Sequence, residues 1–178
     1  DKLKLKSEFF EGVLTDYLQA IKCFADEFKD LNFIIRPHPS ESIVTYENYF
    51  KDFENVIPLK QGNVANWIIN AAGVIHYDCT TGLEGLLANK PVIAFVPRHN
   101  EKVVAWLPIY MSKKVTTIKD LKEAISAIVN GEHKDADFIE KQDEFYKTLS
   151  NAKDFSADNI VIKLISKLDK ITYQFKIN

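Results

Sequence analysis

Two short polar runs could bind an anion, and each follows a run of apolar residues. The first is Arg36-Pro37-His38-Pro39, and the second is Asp78-Cys79-Thr80-Thr81-Gly82, with Glu84 close behind. An arginine guanidinium is a planar fork of donors that suits phosphate, and a histidine can donate a hydrogen bond or a proton near neutral pH. Hydroxyl and backbone N–H donors beside a glycine also suit phosphate. Both runs are therefore candidate phosphate sites.

Each run also has a purely structural interpretation. The two prolines of the first run restrict the backbone, so the run would be a rigid surface turn in which His38 bonds a neighbouring carbonyl. Thr81 followed three residues later by Glu84 is the capping-box pattern, so the second run would only begin a helix. We interpret Cys79 as a small buried residue, because the sequence places no histidine partner beside it. Both interpretations stay open for each run.

Other polar and aromatic residues carry weaker signals. Arg98 follows the next strand in the chain and could reach the same cleft or remain in solvent. His76 lies within an apolar strand, where a hydrogen-bonded core or rim histidine is expected. Trp67, Trp106 and Tyr110 are interpreted as packing residues. The sequence has no GxGxxG, GxxxxGK[ST], HExxH or paired Cys/His motif, so we predict no dinucleotide site, no P-loop and no catalytic metal.

The elements around the two runs predict an α/β fold. Residues 73–77 and 92–95 are apolar enough for buried strands, and residues 83–88 fit a short helix between them. A strand, turn, helix and strand form a parallel crossover unit, in which ligands bind beyond the carboxyl ends of the strands. Further strands are predicted at residues 32–36, 55–59 and 113–116.

Helices are predicted from apolar residues at helical spacing, in ranges that include residues 7–29, 63–70, 118–130, 137–150 and 156–168. Ser7 is the expected N-cap of the first helix, and Gly131 is the expected C-cap of the third. Residues 46–53 predict a short helix or an irregular flap. The sequence thus predicts one α/β domain over residues 1–178, with a Rossmann-like parallel sheet, helices on both faces and a helical C-terminal tail.

Composition limits the function classes. The chain has 178 residues, 46% of them hydrophobic, and a formal net charge of -2, which gives no electrostatic case for nucleic acid as the main partner. No run approaches the length of a membrane span, and no signal peptide is recognisable. Two cysteines without a framework spacing suit a reducing cytoplasm. Because the first residue is not methionine, we expect the chain to be a piece of a longer protein.

The two runs, together with residues 85–92 after the second, resemble the C-terminal domain of GT-B glycosyltransferases. The resemblance is to enzymes of bacterial surface and capsule polysaccharide assembly, near Kdo transferases and CDP-glycerol glycerophosphotransferases, and it covers residues 32–95. The sequence departs from the family pattern at Gly85, where alanine is usual, and at Asn89, where glycine is usual.

The resemblance implies that this chain binds a nucleotide-activated sugar as its substrate, without a metal or other cofactor. The implied phosphate- and donor-binding residues share hydrogen-bonding side chains or amides: Arg36, His38, Thr80, Thr81, Gly82, Glu84 and Arg98. Of these, Arg36 and His38 would contact the phosphates, and Glu84 would face ribose or sugar hydroxyls. His38 and Glu84 are the implied catalytic residues, since the site would stabilise negative charge that develops on the leaving nucleotide.

A GT-B enzyme needs two Rossmann-like domains, so the resemblance implies that this chain is the donor-binding half and is inactive alone. An N-terminal acceptor domain would lie outside the chain, and the full protein would be cytoplasmic, with peripheral association at the inner face of the membrane. Two alternatives remain open: a sugar-nucleotide 2-epimerase of the same architecture, and a non-catalytic α/β module that binds a partner protein.

Overall fold

The fold is given by a computed structural model, which describes residues 2–132 and 136–150. The chain is mixed α/β, with helices and two small parallel sheets in this part. It divides into two compact units: the first unit comprises residues 2–62, and the second unit comprises the described residues from 63 onwards. Among the described residues, no helix is both long enough and apolar enough to cross a membrane.

The first unit contains two helices and two strands, in the order α1 (Lys2–Glu27), β1 (Phe33–Ile35), α2 (Ile43–Tyr49) and β2 (Val56–Pro58). The strands β1 and β2 are parallel, with Ile34 opposite Ile57. Their carboxyl ends therefore lie at the same edge of the sheet. The core of this unit contains Leu18, Ala25, Tyr46, Phe50 and Val56.

The second unit holds the elements α3 (Val64–Asn70), β3 (Val74–His76), α4 (Thr81–Leu87), β4 (Val92–Phe95), α5 (Trp106–Tyr110), β5 (Lys113–Val115), α6 (Ile118–Val129) and α7 (Ala136–Ser150). Its three strands are parallel in the order β3-β4-β5. The central strand β4 is buried at all of its positions, as its apolar sequence predicts.

The prediction of one continuous parallel sheet is wrong for the described residues, because the five strands form a two-stranded and a three-stranded sheet. Apolar runs identify strands but carry no information about which strand lies alongside which. The Rossmann-like fold therefore stays a prediction. The predicted helix at residues 156–168 lies outside the described residues.

Helix boundaries agree with the sequence where a cap is present. Helix α6 begins after Thr117, whose hydroxyl accepts a hydrogen bond from Asp120 N–H, and ends before Gly131, with φ 77°. The predicted start of the first helix at Ser7 is wrong: α1 begins at Lys2, and the Ser7 hydroxyl instead donates to the Glu11 carboxylate. The lysines and leucines that precede Ser7 are good helix formers, so nothing ends the helix there.

The two departures from the family pattern both fit the local structure around α4. Asn89 has φ 55° and takes the left-handed position after the helix that glycine usually fills. Asn89 N–H donates to Leu86 O and Lys90 N–H to Gly85 O, each at 3.0 Å, which completes the helix end. At Gly85, an added Cβ would lie 2.9 Å from a methyl group of Val92, so alanine would crowd the sheet.

Candidate functional site

Two cationic side chains stand at the carboxyl edge of the first unit's sheet. Arg36 directly follows β1, and Lys60 follows β2 after one intervening residue. Because the two strands are parallel, both side chains emerge at the same edge. The loops after these strands are residues 36–41 and 59–62. Their sequence contains one acidic residue, Glu41, against the two cations, so positive charge is in excess there.

The Arg36 guanidinium reaches from the end of β1 to the loop after β2. Its Nη1 donates to Gln61 O at 2.7 Å, and its Nη2 donates to Gly62 O at 3.1 Å. Burial lowers the pKa of Arg36, but an arginine remains charged at neutral pH. Arg36 therefore holds the loop after β2 and brings a positive charge to this edge.

The Lys60 ammonium makes the reverse connection, from the end of β2 to the loop after β1. It donates to Pro39 O at 3.1 Å and also to Glu41 O. Lys60 was not among the site residues predicted from the sequence. Its position just after a predicted strand, matching that of Arg36, is the signal that could have identified it.

His38 is exposed in the loop after β1, and its ring orientation is set by local hydrogen bonds. Its backbone N–H donates to the Glu41 carboxylate at 2.6 Å. The Ser40 hydroxyl lies 2.6 Å from Nδ1, and Ser40 N–H donates to the same nitrogen at 3.2 Å. Because donors converge on Nδ1, the proton of the neutral ring is assigned to Nε2. His38 can thus offer an Nε2–H donor to an anion.

The Glu41 carboxylate is itself fixed by a buried tyrosine. Burial, followed by the charge of Glu41 and a hydrogen bond to it, raises the pKa of Tyr46 far above its usual range. Tyr46 is therefore protonated and donates to Glu41. The loop after β1 is consequently held at Glu41, at Pro39 O and at the His38 ring, so its conformation is well defined.

In the second unit, the predicted capping box at Thr81 is absent. Helix α4 begins at Thr81 itself, and the preceding Thr80 makes no side-chain cap hydrogen bond within the described structure. Hydrogen bonds from Thr81 and Gly82 reach the sulfur of Cys79 instead. Gly82 N–H also donates to Cys79 O at 3.1 Å, so this amide is engaged inside the turn.

The prediction that Cys79 is buried is wrong, since the residue is exposed to solvent. The protein atoms packed around the sulfur nevertheless raise the pKa of the thiol, because desolvation outweighs the hydrogen bonds from Thr81 and Gly82 that would lower it. The thiol is therefore protonated at neutral pH, which does not suit a nucleophile.

His76 lies beneath the same turn, in the core of the second unit. It is 4% exposed, and its Nε2 lies 2.8 Å from the Ser112 hydroxyl, which donates to Pro108 O at 2.7 Å. Burial lowers the pKa of His76 to about 4. Its Nδ1 has no hydrogen-bond partner in the part of the chain that the structure describes, so the predicted core histidine is only half satisfied.

Gly82 is required by its contact with His76 and not only by the turn. A Cβ added at Gly82 would lie 2.4 Å from His76 Nε2, closer than real Cβ atoms come to other atoms. From the sequence, Gly82 was predicted to allow the close approach of a ligand. The structure adds a packing reason for the same glycine.

The ends of β3 and β4 are joined by two side chains that follow β3. The Tyr77 hydroxyl donates to Arg98 O at 2.8 Å, and Asp78 Oδ2 accepts from Ala105 N–H at 3.1 Å. Burial, with the charge of Asp78 as the smaller cause, raises the pKa of Tyr77 to about 12. The loop that carries Arg98 is thereby attached to the turn that carries Thr80 and Gly82.

The candidate residues therefore gather in two sets. Arg36 and His38 share the edge of the first unit, where Lys60 joins them. The second unit holds the remaining set, with hydroxyl, amide, carboxylate or guanidinium groups: Thr80, Thr81, Gly82, Glu84 and Arg98. The three aromatic residues interpreted as packing residues are all exposed, Trp106 the most at 70%. The rings of Trp106 and Tyr110 pack against each other, with their centroids 6.2 Å apart.

A metal site and a similarity to known proteins were both sought for this chain. Among the described residues, no group of three or more His, Cys, Asp or Glu side chains is arranged to hold a metal ion. Comparison with protein-family models, with curated proteins and with solved structures finds no match for this chain. The assignment of a function thus rests on the contacts above and on the sequence motifs.

Proposed function

We propose that this chain binds the diphosphate of a nucleotide-activated sugar, as the donor-binding half of a glycosyltransferase or glycerophosphotransferase-like enzyme of surface polysaccharide assembly. The observation that supports phosphate binding most directly is the cationic edge of the first unit. There Arg36 and Lys60 are fixed by backbone carbonyls, and His38 offers an Nε2–H donor. The wider enzyme class is supported by the sequence resemblance alone.

The chemistry of this edge would be electrostatic. Hydrogen bonds in which the donor or the acceptor is charged are shorter and roughly twice as strong as neutral ones, so a diphosphate gains from a fixed guanidinium and an oriented imidazole N–H. Negative charge on the nucleotide grows as its bond to the sugar breaks, and groups that are already in place stabilise that charge without reorganisation. His38 is therefore the proposed catalytic residue of the first unit.

The groups of the second unit are assigned separately. Because Gly82 N–H is engaged with Cys79 O, we assign less of the phosphate binding to the amides of this turn than the sequence suggested. The hydroxyls of Thr80 and Thr81 are still proposed to bind phosphate. The Glu84 carboxylate is proposed to bind ribose or sugar hydroxyls, as the second catalytic residue. Arg98, exposed after β4, is proposed to contact phosphate.

The rest of the enzyme would lie outside this chain. The proposal includes an acceptor-binding domain in the longer protein, a cytoplasmic location at the inner face of the membrane, and no nucleic-acid partner. The nucleotide-activated sugar is the substrate, and the proposed chemistry requires no cofactor.

Calorimetric titration with CMP, CDP and UDP tests the proposal. We expect at least one nucleotide to bind, and we expect His38→Ala, at an exposed position, to weaken that binding about tenfold, as the loss of one hydrogen bond to a charged group predicts. Lys51→Met is the control for a substitution at an exposed position away from this edge, since Lys51 lies in the turn that precedes β2. Failure of the folded chain to bind any of the three nucleotides would contradict the proposal.

Activity in the longer protein tests the catalytic assignment. Replacement of His38 or Glu84 by alanine is expected to lower transfer of the sugar. Unchanged activity in both variants would instead favour a non-catalytic module.

A further inference from the structure

The loops after β1 and β2 are joined by a reciprocal pair of cations. Arg36, at the end of β1, donates to the carbonyls of Gln61 and Gly62, and Lys60, near the end of β2, donates to those of Pro39 and Glu41. Each cation therefore stabilises the loop that follows the neighbouring strand. Lys60 contacts the carbonyls on both sides of Ser40, which is the residue that orients the His38 ring.

The orientation of His38 depends on the shape of this short loop. Ser40 can direct both its N–H and its hydroxyl to Nδ1 only if the backbone turns back at Pro39. Glu41 N–H donates to His38 O at 2.9 Å, which closes the turn from the other side. The Lys60 ammonium binds Pro39 O and Glu41 O, the carbonyls of the two residues that flank Ser40, and so restrains the backbone on both sides of Ser40.

We propose that Lys60 is a positioning residue for the phosphate-binding imidazole of His38. It acts by fixing the loop at residues 38–41 so that Ser40 occupies Nδ1 and the Nε2–H donor is presented to a phosphate. The ligand in this inference, a phosphate, is taken from the proposed function. The contact between Lys60 and the loop is observed in the structure and is independent of that function.

Direct binding of phosphate by Lys60 is the competing role. Two of the three donors of the ammonium are directed to backbone carbonyls, so contact with the loop is its main interaction in the structure. The two roles differ in one measurable way. A residue that acts through His38 loses its effect when the imidazole is removed, whereas a direct ligand keeps it.

A double-mutant cycle with inorganic pyrophosphate separates the two roles, because pyrophosphate carries the diphosphate without base or sugar. Lys60→Met is expected to weaken pyrophosphate binding about tenfold in the wild-type chain, and less than about twofold in the His38→Ala chain. Lys60→Arg, which keeps a charged donor, is expected to restore binding, and Lys51→Met should leave it unchanged. Equal losses in both backgrounds would overturn the proposal.

Backbone amide exchange supplies a measurement that needs no ligand. The N–H groups of His38 and Ser40 are expected to exchange about tenfold faster in Lys60→Met, because their acceptors are no longer held in place, and at the wild-type rate in Lys60→Arg. Unchanged exchange in Lys60→Met would overturn the positioning role even if no nucleotide binds. Binding of pyrophosphate with the expected cycle, but of no nucleotide, would refute the proposed function and leave this inference standing.

Discussion

Acid should destabilise the second unit, because the His76 ring is buried in its neutral form. The pKa of this ring is about 4 in the folded chain, compared with about 6.5 for a histidine in an unfolded chain. Between these two values the unfolded state binds the proton more readily, so the free energy of unfolding falls as the pH falls. Above the unfolded value the ring is neutral in both states, and the full stability is present.

The size of the effect follows from the distance between the two pKa values. Each pKa unit corresponds to about 1.4 kcal/mol, so acidification from pH 7 to pH 5 should remove about 2 kcal/mol, and acidification to pH 4 about 3 kcal/mol. The environment of Nδ1 supports a shift in this direction. This atom is buried and has no partner among the described residues, so a proton added there would gain no hydrogen bond.

Urea unfolding followed by tryptophan fluorescence measures this effect, because Trp67 and Trp106, the two tryptophans of the chain, both belong to the second unit. The wild-type chain should lose about 2 kcal/mol more than His76→Gln between pH 7 and pH 5. His99→Gln, which removes an exposed histidine of the same unit, is the control for the substitution itself. Parallel curves for the wild type and His76→Gln would refute the reasoning.

Two further predictions concern the same turn. Gly82→Ala should destabilise the second unit by about 1–3 kcal/mol, because its Cβ would lie 2.4 Å from His76 Nε2. An unchanged urea midpoint would contradict this contact, and a smaller effect in the His76→Ala background would support it. In a Cys23→Ser chain, iodoacetamide should alkylate Cys79 more slowly in the folded state than in urea, because the folded environment raises the pKa of the thiol. Equal or faster alkylation of the folded chain would contradict the raised pKa.

Much of the second unit could be predicted from its sequence, because strong local signals bound its elements. The strand β4 follows Asn89-Lys90-Pro91, which ends the preceding helix, and α6 lies between the cap Thr117 and Gly131. The start of α1 was missed because Ser7 is a possible cap that the structure does not use. The division of the strands into two sheets was also missed, since strand pairing depends on contacts between residues that are distant in the sequence.

The candidate site could be predicted in part. Arg36 and His38 could be identified because they lie at and just beyond the carboxyl end of a predicted strand, where parallel α/β sheets bind ligands. Lys60 was missed because an exposed lysine usually signals only a solvated surface, and its bonds to Pro39 O and Glu41 O join loops about twenty residues apart. The contact between His76 and Gly82 was missed for a similar reason, since it depends on how the turn folds back over β3.

Mapping of the phosphate-binding edge by NMR tests the central claim most directly. On addition of CDP to the isotope-labelled chain, the backbone amides of residues 38–41 and 60–62 should shift, together with the ring signals of His38. The ligand concentration that gives half of the amide shift should rise about tenfold in His38→Ala and stay unchanged in Lys51→Met. If saturating CDP leaves these amides unchanged, and CMP and UDP added in its place do the same while the chain remains folded, the assignment of this edge to phosphate is contradicted.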